Sequence, residues 1–402
     1  MIADLWSVRP CGIFRTAAFL LLASSSWTAI GTPFVPADDE AVLARLPARQ
    51  ALQGLAPLRV AVAERREDLP TALDLARGYI AIGRREGDPR FVGYAEAVLT
   101  PWLARTPVPE PALVLKATAL QYRHRFDESL AVLDRAIALE PLDGQAWLTK
   151  AALLELRGDF AEARRACAHL TRASDQILAL TCLASVNSRN GQLVASHEAL
   201  LGVSAETARL PSAIRGWSES VLADMAERLG RDEEADAELR DAISALPDDP
   251  YLKAARADLL LRLGRPEEAI ALTREYESHD SLLLRLAIAG QRAHSPDARR
   301  WAAAYEDRLE AAVRAHDSTH TREHALFLLD VRHDARGALA VAADNWHVQR
   351  QREPTDLRVY LRTAQLAASR PDLDEINRYL TSTGYEDRNL PADVRDPASG
   401  RP

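Results

Sequence analysis

The amino-acid sequence predicts an all-α protein, a right-handed α-solenoid of stacked antiparallel helix pairs. Three observations predict it. The chain of 402 residues has only 18 glycines and few runs of β-branched residues, a composition that favours helix along most of its length. One apolar pattern recurs at a spacing of 34 residues. Glycines and prolines stand where the helices of this pattern must end.

The pattern is clearest between Glu110 and Asp175. Its residues Leu113, Ala117, Leu120, Phe126, Leu133 and Ala136 are followed 34 positions later by Trp147, Ala151, Leu154, Phe160, Cys167 and Leu170. A small residue in the middle of the first helix lets a second helix approach closely, and Gly158 suits the end of that first helix. One such hairpin cannot bury its apolar face alone, so the pairs must stack.

The segment from Trp147 to Cys167 resembles a tetratricopeptide repeat, a unit of 34 residues that folds as helix–turn–helix. The resemblance implies a superhelix of the tetratricopeptide (TPR) type. It also implies that the first helices line a concave groove in which other molecules are held.

The N-terminus predicts an export signal over residues 1–37. Arg9 and Arg15 precede an apolar core that is too short, and too polar at its far end, to be a membrane span. Small residues predict cleavage near Ala37. We therefore expect a periplasmic or secreted protein with no membrane span after cleavage. The alternative is an uncleaved N-terminal membrane anchor.

Four further regions follow. Residues 38–108 predict capping helical hairpins with one degenerate repeat, in which Ala76 and Tyr79 hold the small and large positions. Residues 109–276 predict a TPR array of about five repeats, the last of them centred on Ala257. Residues 277–380 predict irregular helical repeats, because the second helix of the first pair is longer than the family's. Residues 381–402 are polar and rich in Pro, Gly and Asp, so we expect a flexible tail.

Composition excludes several classes of function. Lys and Arg number 50 against 58 Asp and Glu, the net charge is −8, and no basic cluster stands clear of acidic neighbours. Nucleic-acid binding is therefore not expected. The sequence has no Ser/His/Asp order, no glycine-rich phosphate loop and no nucleophile elbow. We expect no cofactor and no enzymatic activity.

Cleavage of the signal would leave two cysteines, Cys167 and Cys182, both on repeat helices. They are either two small core residues or a disulfide between adjacent repeats, which an oxidising compartment would permit. The sequence leaves both alternatives open.

The histidines near the C-terminal third suggest a metal site as an alternative. His316, His320 and His324 are spaced by four residues, and His333 follows. On a continuous helix they would share one face, where His320 and His324 would be the zinc ligands. A helix beginning at Ser318 or Thr319 would take His316 off that face.

The groove carries the leading functional hypothesis. The outward positions of the first helices are Gln121, Tyr122, Glu155, Ser185, Arg189, Asp224, Arg228, Asp258 and Arg262. Arg189, Arg228 and Arg262 occupy one equivalent position, so we expect exposed guanidiniums that grip acidic groups. Tyr122, Trp217 and Tyr251 are the expected apolar anchors.

The sequence thus predicts a non-enzymatic scaffold of the bacterial cell envelope that binds a protein or peptide partner. The alternatives are a metal-handling periplasmic protein that uses the region from His316 to His333, and an accessory subunit of an envelope enzyme complex.

Overall fold

The computed structural model describes residues 50–207, 209–315, 320–391 and 394. The predicted signal segment lies outside these residues, and so does His316. All regular structure within the described ranges is helical, and these residues belong to one compact unit. None of the helices in that part of the chain is long and apolar enough to cross a membrane.

The helices follow one another as antiparallel pairs. Short helices α1 (Gln50–Gln53) and α2 (Ala56–Glu64) come first. The pairs that follow are α3 (Leu69–Glu86) with α4 (Pro89–Leu103), α5 (Glu110–Tyr122) with α6 (Phe126–Leu139), α7 (Gly144–Leu156) with α8 (Phe160–Ala173), and α9 (Gln176–Ser188) with α10 (Leu193–Leu201). The turn-like α11 (Ser204–Thr207) leads to α12 (Ser212–Arg228) with α13 (Asp232–Ala245), and α14 (Pro250–Arg262) with α15 (Pro266–Thr273).

A 3₁₀ turn (Arg274–Tyr276) then precedes three more pairs. They are α16 (Asp280–Arg292) with the longer α17 (Ala298–Arg314), α18 (Thr321–Asp330) with α19 (Ala335–His347), and α20 (Pro354–Leu366) with α21 (Arg370–Thr383). Each helix packs on its partner, and most of the first helices also contact the next first helix. This is the contact pattern of an all-α solenoid.

The small residues of the repeat lie where helices approach most closely. Ala117, Ala151 and Ala257 are completely buried. Ser129, which stands at the partner position of the first clear repeat, is also completely buried. Its hydroxyl donates to the Ala117 carbonyl at 2.8 Å, so this polar group is satisfied. A larger side chain at these places would separate the helices, which explains the sequence pattern.

Local signals in the sequence explain the helix ends. Gly158 ends α7 in the left-handed region at φ 78°, a conformation that costs glycine little. Asp143 and Asp249 cap α7 and α14, and their carboxylates accept backbone N–H groups of the first turn.

A disulfide joins α8 to α9, which decides between the two readings of the cysteines. Cys167 and Cys182 are bonded, with their Cα atoms 5.6 Å apart. Both lie in the buried apolar cluster that also holds Ala151 and Phe160. The bond therefore links two successive repeats.

The flexible tail predicted for residues 381–402 is wrong for residues 381–391 and 394, and the remaining tail residues lie outside the described ranges. α21 continues to Thr383, and the residues after it are packed, since Tyr385, Asp387, Leu390 and Val394 are all more than nine-tenths buried. The apolar members of this segment join the cluster formed by α14 to α21. Composition alone missed this because the segment has no helical period and is ordered by contacts far along the chain.

Candidate functional site: the cavity of the helix array

A cavity of about 1380 Å³ lies between the first helices of the array and α20. Of the eleven residues that the sequence assigns to the groove, nine line it: Gln121, Glu155, Ser185, Arg189, Trp217, Asp224, Tyr251, Asp258 and Arg262. Equivalent positions of stacked repeats point the same way, which explains why these residues meet on one wall. Tyr122 and Arg228 do not line it.

Two aromatic side chains stand on the cavity wall. Trp217 on α12 is half-buried and packs against the apolar clusters of the neighbouring helices. Tyr251, in the first turn of α14, is 54% exposed. The Glu353 carboxylate raises the pKa of Tyr251 above its ordinary value, and the protonated hydroxyl can donate a hydrogen bond.

Tyr122, the third expected anchor, holds two helix pairs together. It lies at the end of α5 and its hydroxyl donates to the Gly83 carbonyl of α3 at 3.1 Å. This bond explains why a large polar-tipped ring stands at that position.

Glu155 and Arg189 form a buried ion pair on the cavity wall. The Arg189 Nε lies 3.1 Å from a Glu155 oxygen, and the Ser185 hydroxyl donates to the same oxygen at 2.7 Å. Burial raises the pKa of Glu155 in spite of the guanidinium beside it. Burial alone would lower the pKa of Arg189, but the Glu155 carboxylate raises it above its usual value.

The prediction of a row of exposed guanidiniums at Arg189, Arg228 and Arg262 is wrong at Arg228. Its side chain is fully buried, and it donates to Asp224 at 2.9 Å and to the Ser188 carbonyl and hydroxyl at 2.8 and 2.6 Å. The Tyr385 ring lies 5.4 Å from the guanidinium. Burial would raise the pKa of Asp224, but Arg228 and Arg189 hold it below its ordinary value. Arg228 is therefore a structural residue that ties adjacent repeats together.

Arg262 and Asp258 are also paired within the chain. Arg262 donates to Glu227 at 3.2 Å and to Asp232 at 2.6 Å. Asp258 accepts two bonds from Arg285, at 3.0 and 2.8 Å. With Arg189 and Arg228 also paired, every guanidinium of the expected ladder already has a carboxylate partner, which leaves little charge to attract an acidic ligand.

The wall also carries uncharged groups. Leu148 and Val221 lie on it with the two aromatic rings, and so do Gln121, Gln145 and Ser220. Apolar surface with a few neutral donors and acceptors is the usual lining of a site that binds by shape and hydrogen bonds.

The histidines expected to bind metal do not share a helix face. His320 is the residue before α18, with a non-helical backbone, and His324 lies inside that helix. His324 borders a separate, shallow depression together with Glu306 and Glu310, and burial lowers its pKa. No group of three or more His, Cys, Asp or Glu suited to a metal ion occurs among the residues described.

Calorimetry with Zn²⁺ tests the metal alternative directly. Because His320 precedes α18 with a non-helical backbone, we expect equal heats for the parent chain and a His320→Ala/His324→Ala variant. A saturable heat of Zn²⁺ binding that the double variant lacks would instead support a metal site at His320 and His324.

Sequence reasoning missed the cavity residues that come from α20 and from the segment after α21. Arg358 on α20 lines the cavity, as do Asn389 and Leu390 of the packed tail. Arg358 donates to Glu227 at 2.6 Å and to Asp387 at 2.8 Å. No local signal marks this set, because its members come from helices 131 positions apart and from a segment without periodicity.

Comparisons with known proteins concern the fold alone. No family model and no curated protein matches the chain. A solved tetratricopeptide repeat protein from Parabacteroides merdae is similar at 15% identity over 59% of this chain and 91% of that one, with a TM-score of 0.36. The human IFIT1 dimer with PPP-AAAA is similar at 16% identity over 83% and 86% of the two chains, with a TM-score of 0.42.

The fold rests on the chain's own features, which are the paired helices, the recurring pattern and the buried small residues of each pair. By these features the chain is an all-α helical-repeat protein built from stacked antiparallel helix pairs.

Proposed function

We propose that this chain is a non-enzymatic scaffold that binds an extended segment of a protein partner in the cavity. The observation that carries the proposal is the placement of Trp217 and Tyr251 on a wall built from successive first helices. Aromatic side chains in a concave surface are the residues that most often dominate binding energy. The cavity volume of about 1380 Å³ is larger than a site for a small ligand usually needs.

The paired charges favour a particular kind of partner segment. Glu155, Asp224 and Asp258 already neutralise neighbouring arginines. An extended segment is therefore recognised by one or two apolar side chains against the aromatic rings, while Gln121 and Gln145 meet its main-chain amides. Acidic partners, which an exposed arginine ladder would select, have no advantage here.

We propose the bacterial cell envelope as the location. The apolar N-terminal segment motivates this, and the Cys167–Cys182 disulfide suits an oxidising compartment. N-terminal sequencing of the protein from its host should find a start near Asp38. An intact Met1 in the membrane fraction would support the anchor, and an intact Met1 in the cytoplasm would refute export.

The experiment that tests binding compares three forms of the full chain. A Trp217→Ala/Tyr251→Ala variant should capture its partner about tenfold more weakly than the parent. Tyr94→Ala is the matched control, because Tyr94 is 49% exposed on α4 and does not line the cavity. Capture by the double variant at the strength of the parent would refute the proposal. A captured set confined to subunits of one enzyme would identify the accessory-subunit role.

A further inference from the structure

We propose that the cavity opens along a polar seam, and that this opening admits the partner segment. The seam is the contact between the array turns at residues 156–158, 190–193 and 227–230 and the C-terminal residues 350–358 and 383–389. The use of the opening rests on the proposed function, whereas the opening itself does not.

Hydrogen bonds that involve the backbone cross the seam at several points. The Arg352 amide donates to the Leu156 carbonyl at 2.7 Å, and the Arg388 amide donates to the Arg228 carbonyl at 2.7 Å. Two side-chain amides donate across it as well, Asn190 to the Thr383 carbonyl at 2.7 Å and Asn389 to the Glu227 carbonyl at 2.6 Å. The C-terminal segment thus bonds to the turns of three successive repeats.

Arg358 is the charged centre of the seam. Its guanidinium binds Glu227 of the array on one side and Asp387 of the packed tail on the other. The Asp387 side chain is fully buried and that of Arg358 is 22% exposed. A pair this enclosed depends on its partner, since a buried carboxylate without its cation is strongly disfavoured.

Among the described residues, no buried apolar cluster joins the two faces of the seam, although the Tyr385 ring lies over the Arg228 guanidinium. The cluster that contains Tyr385, Leu390 and Val394 is otherwise formed by residues of α14 to α19, α20 and α21. The clusters that contain Leu156, Leu193 and Leu229 of the seam turns hold no residue of the C-terminal side. A separate small cluster of α12, α13 and α14 joins the two sides at the α13–α14 connection. The sides therefore stay joined there, and polar contacts join them along the seam itself.

This arrangement lets the seam separate without unfolding either side. Apolar burial supplies most of the stability of helix pairs, while polar interfaces within a chain are those at which parts move. The tail would stay with the C-terminal helices because its apolar residues are anchored there. Leu156, Glu227, Arg358 and Asn389 border the cavity, so separation at the seam exposes it.

Hydrogen exchange of single amides tests the opening on the full chain without any partner. Arg358→Gln should speed exchange of the Arg352 and Arg388 amides about tenfold or more, because hydrogen bonds to charged groups are lost. Exchange in the middle of α7 and of α16 should stay as in the parent. The matched control is Arg362→Gln, one turn further along α20. Arg362 also lines the cavity but pairs with Asp330 of the C-terminal side.

Three results would overturn the inference. The first is that the Arg352 and Arg388 amides exchange at the parent rate in Arg358→Gln. The second is that they exchange equally fast in Arg362→Gln. The third is that amide exchange rises in all helices together. Asn389→Ala is a second variant, and it leaves no buried charge without a partner. It should speed hydrogen exchange of the Arg388 amide but not of the Arg352 amide. Because no partner is present, failure of the capture experiment would leave this result standing.

Discussion

The disulfide between α8 and α9 makes a prediction that can be worked in numbers. Cys167 and Cys182 are separated by 15 positions and both are buried. Changing both to alanine removes the bond without introducing a polar group into the apolar cluster. The change should loosen the two repeats that the bond joins and leave the distant α18 and α19 as they are.

The magnitude follows from the length of the closed loop. A disulfide restricts the unfolded chain, and a loop of about 15 residues corresponds to roughly 3 kcal/mol of stability. At about 1.4 kcal/mol for each factor of ten, this is a roughly hundredfold change in the local opening equilibrium.

Hydrogen exchange measured by mass spectrometry on peptides from α8 and α9 is the suitable assay. Exchange of these peptides should rise about a hundredfold in Cys167→Ala/Cys182→Ala, and equally in the parent chain after reduction. The alanine variant itself should not respond to reductant, which makes it the control.

Two results would refute the reasoning. The parent chain, purified from its host and alkylated without reduction, would carry label on both cysteines. Alternatively, reduction would leave exchange in α8 and α9 unchanged, which would show that closing the loop does not stabilise these repeats.

Three other perturbations test the account of the fold. Ala151→Leu overpacks a completely buried contact and should lower stability by about 1–3 kcal/mol in urea unfolding; an unchanged midpoint would show the register to be wrong. Arg228→Ala removes a fully buried guanidinium from its pair with Asp224 and should cost about 3–5 kcal/mol. Arg262→Ala, at a side chain 27% exposed, should cost no more than about 1 kcal/mol, and equal losses would contradict the difference in burial. Burial, with neighbouring carboxylates, raises the pKa of Glu238 from 4.5 to about 7. The folded chain therefore holds this proton more tightly than the unfolded chain, and the free energy of unfolding falls as pH rises from about 4.5 to 7. Glu238→Gln should therefore gain stability over the parent across that window, while the exposed Glu233→Gln should not; parallel pH profiles for all three chains would refute it.

The sequence predicted the helix pairs because their signals are local. A small residue at Ala117 or Ala151 and a glycine such as Gly158 specify a close contact and a helix end within one repeat. These positions are buried or left-handed in the structure, as the pattern requires. The same register brought nine of the eleven expected groove residues to one cavity.

The sequence did not predict which charged residues are buried. Arg228 and Arg262 hold equivalent positions, yet the side chain of Arg228 is fully buried and that of Arg262 is 27% exposed. The difference arises because Tyr385 of the packed tail covers Arg228, and the tail meets α12 through contacts more than 150 positions apart. Periodicity carries no information about such contacts, so the groove was expected to be open and charged.

The central claim is that a partner segment lies against Tyr251 in the cavity. A photo-crosslinking amino acid placed at position 251 of the full chain, and at position 94 as a control, tests it most directly in the host cell. The account predicts a crosslink from position 251 to one mapped segment of another protein, with apolar residues at the attachment point, and no such product from position 94. Products from position 251 that lead only to this chain's own residues, while the parent chain still captures a partner, would contradict it.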